Sequence, residues 1–159
     1  MTTRRLPKPH DPAAAARAEV IELLFSYVDR LRTHLEIVAQ THGLTPVQAK
    51  VLMFLDESEP MHCIAANLSC DPSNVTGVVD RLQERGLLMR EEARTDRRVK
   101  ILQVTPAGKK LRDAFMNDLF RDVPGMNGLS RSQIKGLRDA LAMLCGEEAS
   151  KASTAADVR

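Results

Sequence analysis

The segment from Met61 to Arg85 constrains the fold of this chain more than any other. Residues 61–68 and 72–85 each have apolar residues at steps of three and four, which predicts two short helices. The short polar sequence Ser69-Cys70-Asp71 between them predicts a tight turn. Two short helices joined in this way form a helix-turn-helix. In the second helix, the residues expected to face the core are Val75, Val78, Val79 and Leu82.

A hairpin is predicted directly after this unit. Gly86 ends the second helix, at a position where a left-handed residue is favoured. Residues 87–90 and 100–104 show apolar residues separated by basic or polar ones, a pattern that favours two short strands over a helix. The connection, residues 91–98, has no apolar side chain larger than that of Ala, so we expect it to project into water.

Positive charge is concentrated on the second helix and the hairpin. The whole chain has a formal net charge of only +2, which neither requires nor excludes an anionic partner. Residues 81–112, however, contain ten basic and four acidic side chains, whereas residues 44–80 contain one lysine and five acids. A local charge of +6 beside one of −4 is typical of a surface that faces phosphates.

The side of the second helix opposite its valines is small and polar. Its residues are Ser73, Asn74, Thr76, Gly77 and Arg81. Hydroxyl and amide groups can donate to and accept from base edges or phosphates, and a small residue permits close approach. This face therefore predicts contact with a DNA major groove.

Long apolar helices flank this central region. Residues 13–42 form one helical segment with apolar residues at heptad spacing, and the same steps recur in residues 134–144. The first segment is too long to be covered by the rest of so short a chain, so we expect a homodimer. The residues assigned to dimerisation are Ile21, Leu24, Val28, Ile134, Leu137 and Leu141.

Capping residues mark several helix starts. The motif Thr45-Pro46-Val47-Gln48 places a hydroxyl at the cap, proline at the first helical position and glutamine three residues after the cap. It predicts a helix that runs to about Glu57. Asp71-Pro72 and Thr105-Pro106 repeat the cap and proline, and Ser130-Arg131-Ser132-Gln133 repeats the capping box.

The order and spacing of these motifs over residues 44–111 resemble the MarR family of bacterial transcription regulators. The matching motifs are Leu44-Thr45-Pro46, Ile64-Ala65-Ala66-Asn67-Leu68, Val75-Thr76, Val79-Asp80-Arg81-Leu82, Arg85-Gly86-Leu87-Leu88, Asp96-Arg97-Arg98 and Val104-Thr105-Pro106-Ala107-Gly108. The resemblance implies a mostly α fold with a small β-hairpin wing. In that fold the winged helix-turn-helix is flanked by helices that form a dimerisation region.

The resemblance also implies a mode of action. The second helix would read the major groove, and Arg98 of the wing, held by Asp96, would enter the adjacent minor groove, where negative potential is concentrated. Arg94 and Arg97 complete the predicted wing contacts. A twofold dimer would bind an inverted-repeat operator, most commonly as a repressor. An effector bound between the dimerisation region and the DNA-binding region would shift operator affinity.

Four side chains are assigned to that effector cleft: Tyr27, His34, His42 and Met53. An anionic ligand could use His42, and the class of effector we expect is a small phenolic or anionic aromatic compound.

These predictions divide the chain by role. Residues 1–12 and 147–159 are expected to be flexible tails. Residues 13–43 form a dimerisation helix, residues 44–105 the winged helix-turn-helix, and residues 106–146 further dimerisation helices.

Other classes of function find little support. Nothing resembles a catalytic dyad or a phosphate loop, and the histidines lack metal-ligand spacing, so we expect no enzyme, metal site or cofactor. No apolar run suits a membrane span or a secretory signal, which favours a cytoplasmic protein. Cys63, Cys70 and Cys145 are expected to be reduced thiols, with the first two buried as small apolar side chains. Two alternatives stay open, namely redox sensing through Cys63 or Cys70, and a winged helix that binds an acidic protein.

Overall fold

The structure is a computed structural model that describes residues 11–56, 58–68, 72–92 and 100–146. It is mostly helical with a small antiparallel sheet, which confirms the predicted fold class. Within these residues the elements are α1 Pro12–Thr41, α2 Pro46–Phe54, β1 Ser58–Pro60, α3 Met61–Asn67, α4 Pro72–Glu84, β2 Leu88–Glu92, β3 Lys100–Val104, α5 Pro106–Arg121 and α6 Arg131–Leu144. A 3-10 turn at Met126–Gly128 precedes α6.

The chain forms two compact units, Met1–Asp122 and Val123–Arg159. The first unit contains α1 to α5 and the sheet, and the second contains α6. This division follows contacts within the chain, whereas the sequence-based division at residues 43/44 and 105/106 follows role and stays a prediction.

The predicted capping residues begin α2, α5 and α6. The Thr45 hydroxyl accepts from Gln48 N at 3.2 Å while the Gln48 amide oxygen accepts from Thr45 N at 3.0 Å, a reciprocal arrangement that satisfies two amides of the first turn. Ser130 and Gln133 repeat this capping box at α6, and Thr105 caps α5. Asp71 lies outside the described residues.

Helix α2 is shorter than predicted, because it ends at Phe54 rather than near Glu57. Leu55 is extended and fully buried, and the chain then forms β1, which the sequence analysis missed. The strand is only three residues long and contains Pro60, so it lacks the alternation that indicates a strand.

The sheet has the strand order β1-β3-β2, and both pairings are antiparallel. The predicted hairpin is confirmed, with β2 and β3 in register from Leu88 opposite Val104 to Glu92 opposite Lys100. The unpredicted strand β1 pairs with the other edge of β3. The hairpin is thus one edge of a three-stranded sheet whose central strand contributes the buried residue Leu102.

The core of the first unit lies beneath α2, α3, α4, α5 and the sheet. The predicted inward faces of α3 and α4 are confirmed, since Ile64, Val75, Val79 and Leu82 are fully buried. The end of α1 adds Val38 and Ala39. The largest fully buried side chains are those of Phe115, Leu52, Leu55, Ile64, Leu82, Leu88 and Leu102.

Two glycines fix the connection from α4 to the sheet. Gly86 is left-handed at φ 68°, and Gly86 N and Leu87 N donate to Gln83 O and Leu82 O at 2.8 and 3.0 Å, which closes α4 as a Schellman motif. Gly108 lies so close to this turn that a Cβ there would be 1.9 Å from the carbonyl oxygen of Leu87. The start of α5 is therefore packed directly against the start of β2.

Helix α1 has two different halves. Towards its C-terminus Leu35 is partly buried and Val38 is buried, so the heptad residues there pack within the same chain. Towards its N-terminus Ile21 and Val28 are 46% and 55% exposed, and Val20, Leu23 and Phe25 are also exposed. Leu24, the third residue of α1 that was assigned to dimerisation, is half-buried. The exposed apolar residues of α1 therefore extend beyond the three assigned positions.

Candidate nucleic-acid interface

Helix α4 exposes one side to solvent. Gly77 is exposed, and a Cβ built on it would meet no atom of the described residues within 4 Å. Arg81, one turn further on, is also exposed, while Thr76 between the exposed and buried sides is half-buried. Ser73 and Asn74 lie in the first turn of α4, and their side chains lie outside the described residues.

The hairpin beside α4 is described only at its base. Strands β2 and β3 run to Glu92 and from Lys100, so the predicted wing residues lie in the connection between them. Arg94, Asp96, Arg97 and Arg98 all lie outside the described residues. Their contribution to the interface stays a prediction.

An ion pair joins α4 to the hairpin, and the sequence analysis missed it. Arg90 Nη2 on β2 donates to Asp80 Oδ1 on α4 at 2.8 Å. The two side chains are 24% and 50% exposed. The sequence analysis counted Arg90 only as a positive charge. Its spacing of two residues from Leu88, on a strand next to α4, is the signal that could have found the pair.

Exposed cations near this surface agree with the charge pattern of the sequence. Arg81, Arg85, Lys100 and Lys110 are exposed. Arg85 Nη1 donates to Gly43 O at 2.9 Å, so part of its function is to hold the α1–α2 turn against the end of α4.

Two of the residues assigned to the effector cleft already bind α5. His34 Nε2 donates to Leu119 O at 2.9 Å, one of the carbonyls that α5 leaves unpaired at its C-terminal end. His42 Nε2 donates to Asp118 Oδ2 at 2.9 Å, and the imidazole packs edge-on against Phe115. Both rings therefore join α1 to α5 within one chain.

The other two assigned residues differ from the histidines. Met53 is partly buried against the core. The Tyr27 hydroxyl is buried and, among the described residues, makes no hydrogen bond. His42 directly follows α1 and lies fifteen residues after Tyr27, which is about 22 Å along a helix. Met53 lies on α2. The assigned residues are therefore spread over two elements, and one small ligand cannot contact both Tyr27 and His42.

The second unit has an apolar side of its own. Ile134 and Leu141 of α6 are 44% and 37% exposed, and Leu137 is half-buried. With Met126 they line a shallow apolar cavity of about 310 Å³. Ile134, Leu137 and Leu141 are the residues of α6 that were assigned to dimerisation.

The remaining predictions concern cysteines, metals and membranes. Cys63 on α3 is half-buried, which is less than expected, Cys145 is exposed, and Cys70 lies outside the described residues. Among the described residues, no three His, Cys, Asp or Glu side chains are grouped as metal ligands. In the same part of the chain, no helix combines the length and the apolar character that crossing a membrane requires.

Helices α3 and α4, with a hairpin against the end of α4, define a winged helix-turn-helix. A family model described as MarR family matches residues 44–100, which contain both helices and most of the hairpin. Residues 44–100 are therefore similar to the MarR family.

Individual relatives support this assignment. The chain is 33% identical over 94 residues to the HTH-type transcriptional regulator MhqR of Bacillus subtilis, covering 58% of this chain and 62% of the relative. The curated relatives that match are covered over 41% to 62% of their own length.

Solved structures extend the match to the flanking helices. CouR from Rhodococcus jostii RHA1, crystallised with p-coumaroyl-CoA, is 25% identical with a TM-score of 0.68, covering 84% of this chain and 96% of CouR. Wild-type MarR from E. coli shares the fold with a TM-score of 0.69 at 19% identity, covering 77% of this chain and 93% of that one.

Proposed function

We propose that this chain is a sequence-specific DNA-binding transcriptional regulator that acts as a homodimer on an inverted repeat. The observation that carries the proposal is the exposed side of α4, with Gly77 and Arg81 facing solvent beside the hairpin. A helix with its apolar side buried and a small, polar and basic side exposed suits insertion into a major groove. Such a protein would act in the cytoplasm.

The charge distribution supports DNA as the partner. Arg81, Lys100 and Lys110 are exposed, and Arg94, Arg97 and Arg98 belong to the connection between β2 and β3 in the sequence. Several cations on one face release counterions from the phosphate backbone on binding, so affinity must fall as salt rises. Binding to an acidic protein would also weaken as salt rises, but a protein with that function would show no preference for one DNA sequence.

The exposed apolar helices support a dimer. Phe25, Val28 and Leu23 of α1 are 67%, 55% and 64% exposed, and α6 has its own apolar side. Apolar side chains grouped at this density on one helix are unusual on a lone protomer. A second copy that covered them would present two α4 helices to successive turns of one duplex.

We further propose that a small phenolic or anionic aromatic compound releases the DNA and that the protein is a repressor. CouR was crystallised with p-coumaroyl-CoA, and the p-coumaroyl group of that ligand is a phenol. The Tyr27 hydroxyl is buried and has no hydrogen-bond partner among the described residues, so a ligand that supplied a hydrogen bond would lower the energetic cost of burying it.

DNA binding is tested by selecting bound duplexes from a random pool and measuring affinity for the selected duplex at several salt concentrations. We expect a log–log plot with a steep negative slope. Arg98→Ala should cost about 1–3 kcal/mol of binding free energy. Arg131→Ala on α6 removes the same charge outside this surface and is the control, with little change expected. A flat salt response, or no selected sequence, would contradict DNA recognition.

The effector is tested with p-coumarate and with peroxide. We expect p-coumarate to release the selected duplex from the wild-type protein and from a variant with Cys63, Cys70 and Cys145 replaced by Ser. Release by peroxide alone, lost in the cysteine-free variant, would replace the phenolic effector with thiol sensing. Tyr27→Phe should weaken the response to p-coumarate and leave DNA affinity without the compound unchanged.

A further inference from the structure

Asp80 is a negative charge on the side of α4 that is proposed to face DNA. It follows Gly77 by three residues and Thr76 by four, so it lies on the same stripe of the helix. Its side chain is 50% exposed. An unpaired carboxylate at this position would repel the phosphate backbone. The presence of Asp80 on the side proposed to face DNA therefore needs an explanation.

Arg90 supplies that reason from the neighbouring strand. It follows Leu88 by two residues on β2, so both side chains point to the same side of the sheet, where Leu88 is buried. Its Nη2 donates to Asp80 Oδ1 at 2.8 Å. Its Nε is buried and, within the described part of the chain, has no hydrogen-bond partner. Because a buried unpaired N–H costs free energy, stability alone is a poor explanation for this placement.

The position of the pair gives it control over the angle between α4 and the hairpin. The covalent connection consists of Arg85, Gly86 and Leu87, and the Schellman motif fixes it at the end of α4. Asp80 lies four residues before the end of the helix, about 6 Å from it. Arg90 lies two residues into β2, about 7 Å along the strand. The ion pair is a second attachment between α4 and the hairpin, several ångströms from the turn. It fixes the angle between them, which the turn alone leaves free.

We propose that the Asp80–Arg90 ion pair positions the hairpin relative to α4 so that both contact one DNA duplex together. The inference rests on the proposed function. Asp80 and Arg90 are positioning residues, which act through the wing and through the exposed face of α4. The same ion pair neutralises the Asp80 carboxylate on the side of α4 that is proposed to face DNA.

A double-mutant cycle tests the proposal with Asp80→Asn, Arg90→Gln and the double variant. The probe is the duplex that the wild-type protein selects from a random pool, and the readouts are affinity, its salt slope and the melting temperature. Each single variant should lose about tenfold in affinity, and the double variant should lose no more than either, because all three lack one shared contact. The salt slope should fall by about one or more, since the wing no longer reaches its phosphates.

Two controls separate positioning from stability and from charge. Arg32→Gln breaks an exposed pair with Glu36 on α1 and removes the same charge, so its affinity should match the wild type. Asp80→Glu keeps the carboxylate and should recover part of the affinity. All variants should melt within about 4 °C of the wild type, because a half-exposed pair contributes little to stability.

The possible outcomes distinguish this inference from the proposed function. Unchanged affinity of both single variants, additive losses in the double variant, or losses matched by a large fall in melting temperature would each overturn the positioning role while wild-type DNA binding stands. A wild-type protein without salt-dependent DNA binding would refute the proposed function, and the inference with it.

Discussion

The winged-helix region and the end helices differ in how completely they bury their apolar residues. Among the described residues, the buried core runs from Val38 to Leu119, and α6 contributes nothing to it. In α1, the residues before Val38 are exposed or half-buried, including Phe25 at 67% exposure. Both kinds of segment have apolar periodicity, so periodicity alone does not distinguish a core-facing helix from one that is left exposed.

The difference indicates that the two parts depend on different partners. The apolar residues of the winged-helix region are buried by other residues of the same chain. The N-terminal half of α1 and the apolar side of α6 are covered by little that the structure describes, which is what a dimerisation region requires in a single protomer. Variants that affect one part and spare the other test this comparison.

The largest expected effect is on the packed side of the comparison. Gly108→Ala would place a Cβ 1.9 Å from the Leu87 carbonyl oxygen and 2.9 Å from Val104 Cγ2. Because the nearest atom is backbone, α5 or β2 must move, and we expect a loss of about 3 kcal/mol or more of unfolding free energy in urea. Gly136→Ala in α6 is the control, since no described residue comes within 4 Å of the added Cβ and the helix gains up to about 1 kcal/mol. Equal stability of the two variants would contradict the packing described here.

The next prediction addresses the exposed side. Ile21→Glu combined with Val28→Glu puts two carboxylates into the apolar band of α1, and we expect dimer affinity to fall about 100-fold or more in sedimentation experiments. The separated protomer should keep its fold, because both side chains are exposed on one protomer, although its apparent melting temperature should fall with the loss of the dimer. Arg30→Glu changes the net charge by the same two units at a polar position of the helix and should leave the dimer intact. If the double variant still dimerises with wild-type affinity, the apolar band of α1 is not part of the dimer interface.

A third prediction compares two arginines that differ in burial. Arg112 is 17% exposed and its Nη1 donates to Leu55 O and Asp56 O at 2.6 and 2.7 Å, which joins α5 to the end of α2. Arg112→Gln should cost about 2 kcal/mol of unfolding free energy, because the part-buried hydrogen bond to the Leu55 carbonyl loses its charged donor. Arg138 contacts Asp139 at a similar 2.7 Å but is 65% exposed, so Arg138→Gln should change stability by less than about 0.5 kcal/mol. Similar losses in both variants would show that burial does not set the effect.

Much of the fold follows from local sequence signals. Capping boxes at Thr45 and Ser130 and left-handed glycines such as Gly86 depend on neighbouring residues only, and the structure contains them as predicted. The strand at Ser58–Pro60 could not be predicted in this way, because it exists only through its pairing with β3. The early end of α2 has the same origin, since the chain must leave the helix to reach that strand.

The candidate site is predictable to a lesser degree. The exposed side of α4 follows from helical periodicity once Val75 and Val79 are taken as buried. The partners of Arg90, His34 and His42 do not, because each contact joins residues from different elements. Sequence spacing gives the face on which a side chain lies, whereas its partner depends on how the elements pack.

The smallest expected effect combines opposite changes at one residue of α4. Gly77 is exposed and no described atom lies within 4 Å of an added Cβ, so Gly77→Ala should raise unfolding free energy by about 0.5–1 kcal/mol through helix propensity. If this face approaches DNA closely, the added methyl group should lower affinity for the selected duplex by about threefold or more. Gly136→Ala should give the same stabilisation without the loss of affinity, which separates helix propensity from contact. A Gly77→Ala protein that is more stable and binds DNA as tightly as the wild type would mean that α4 does not bring its backbone close to the duplex at Gly77.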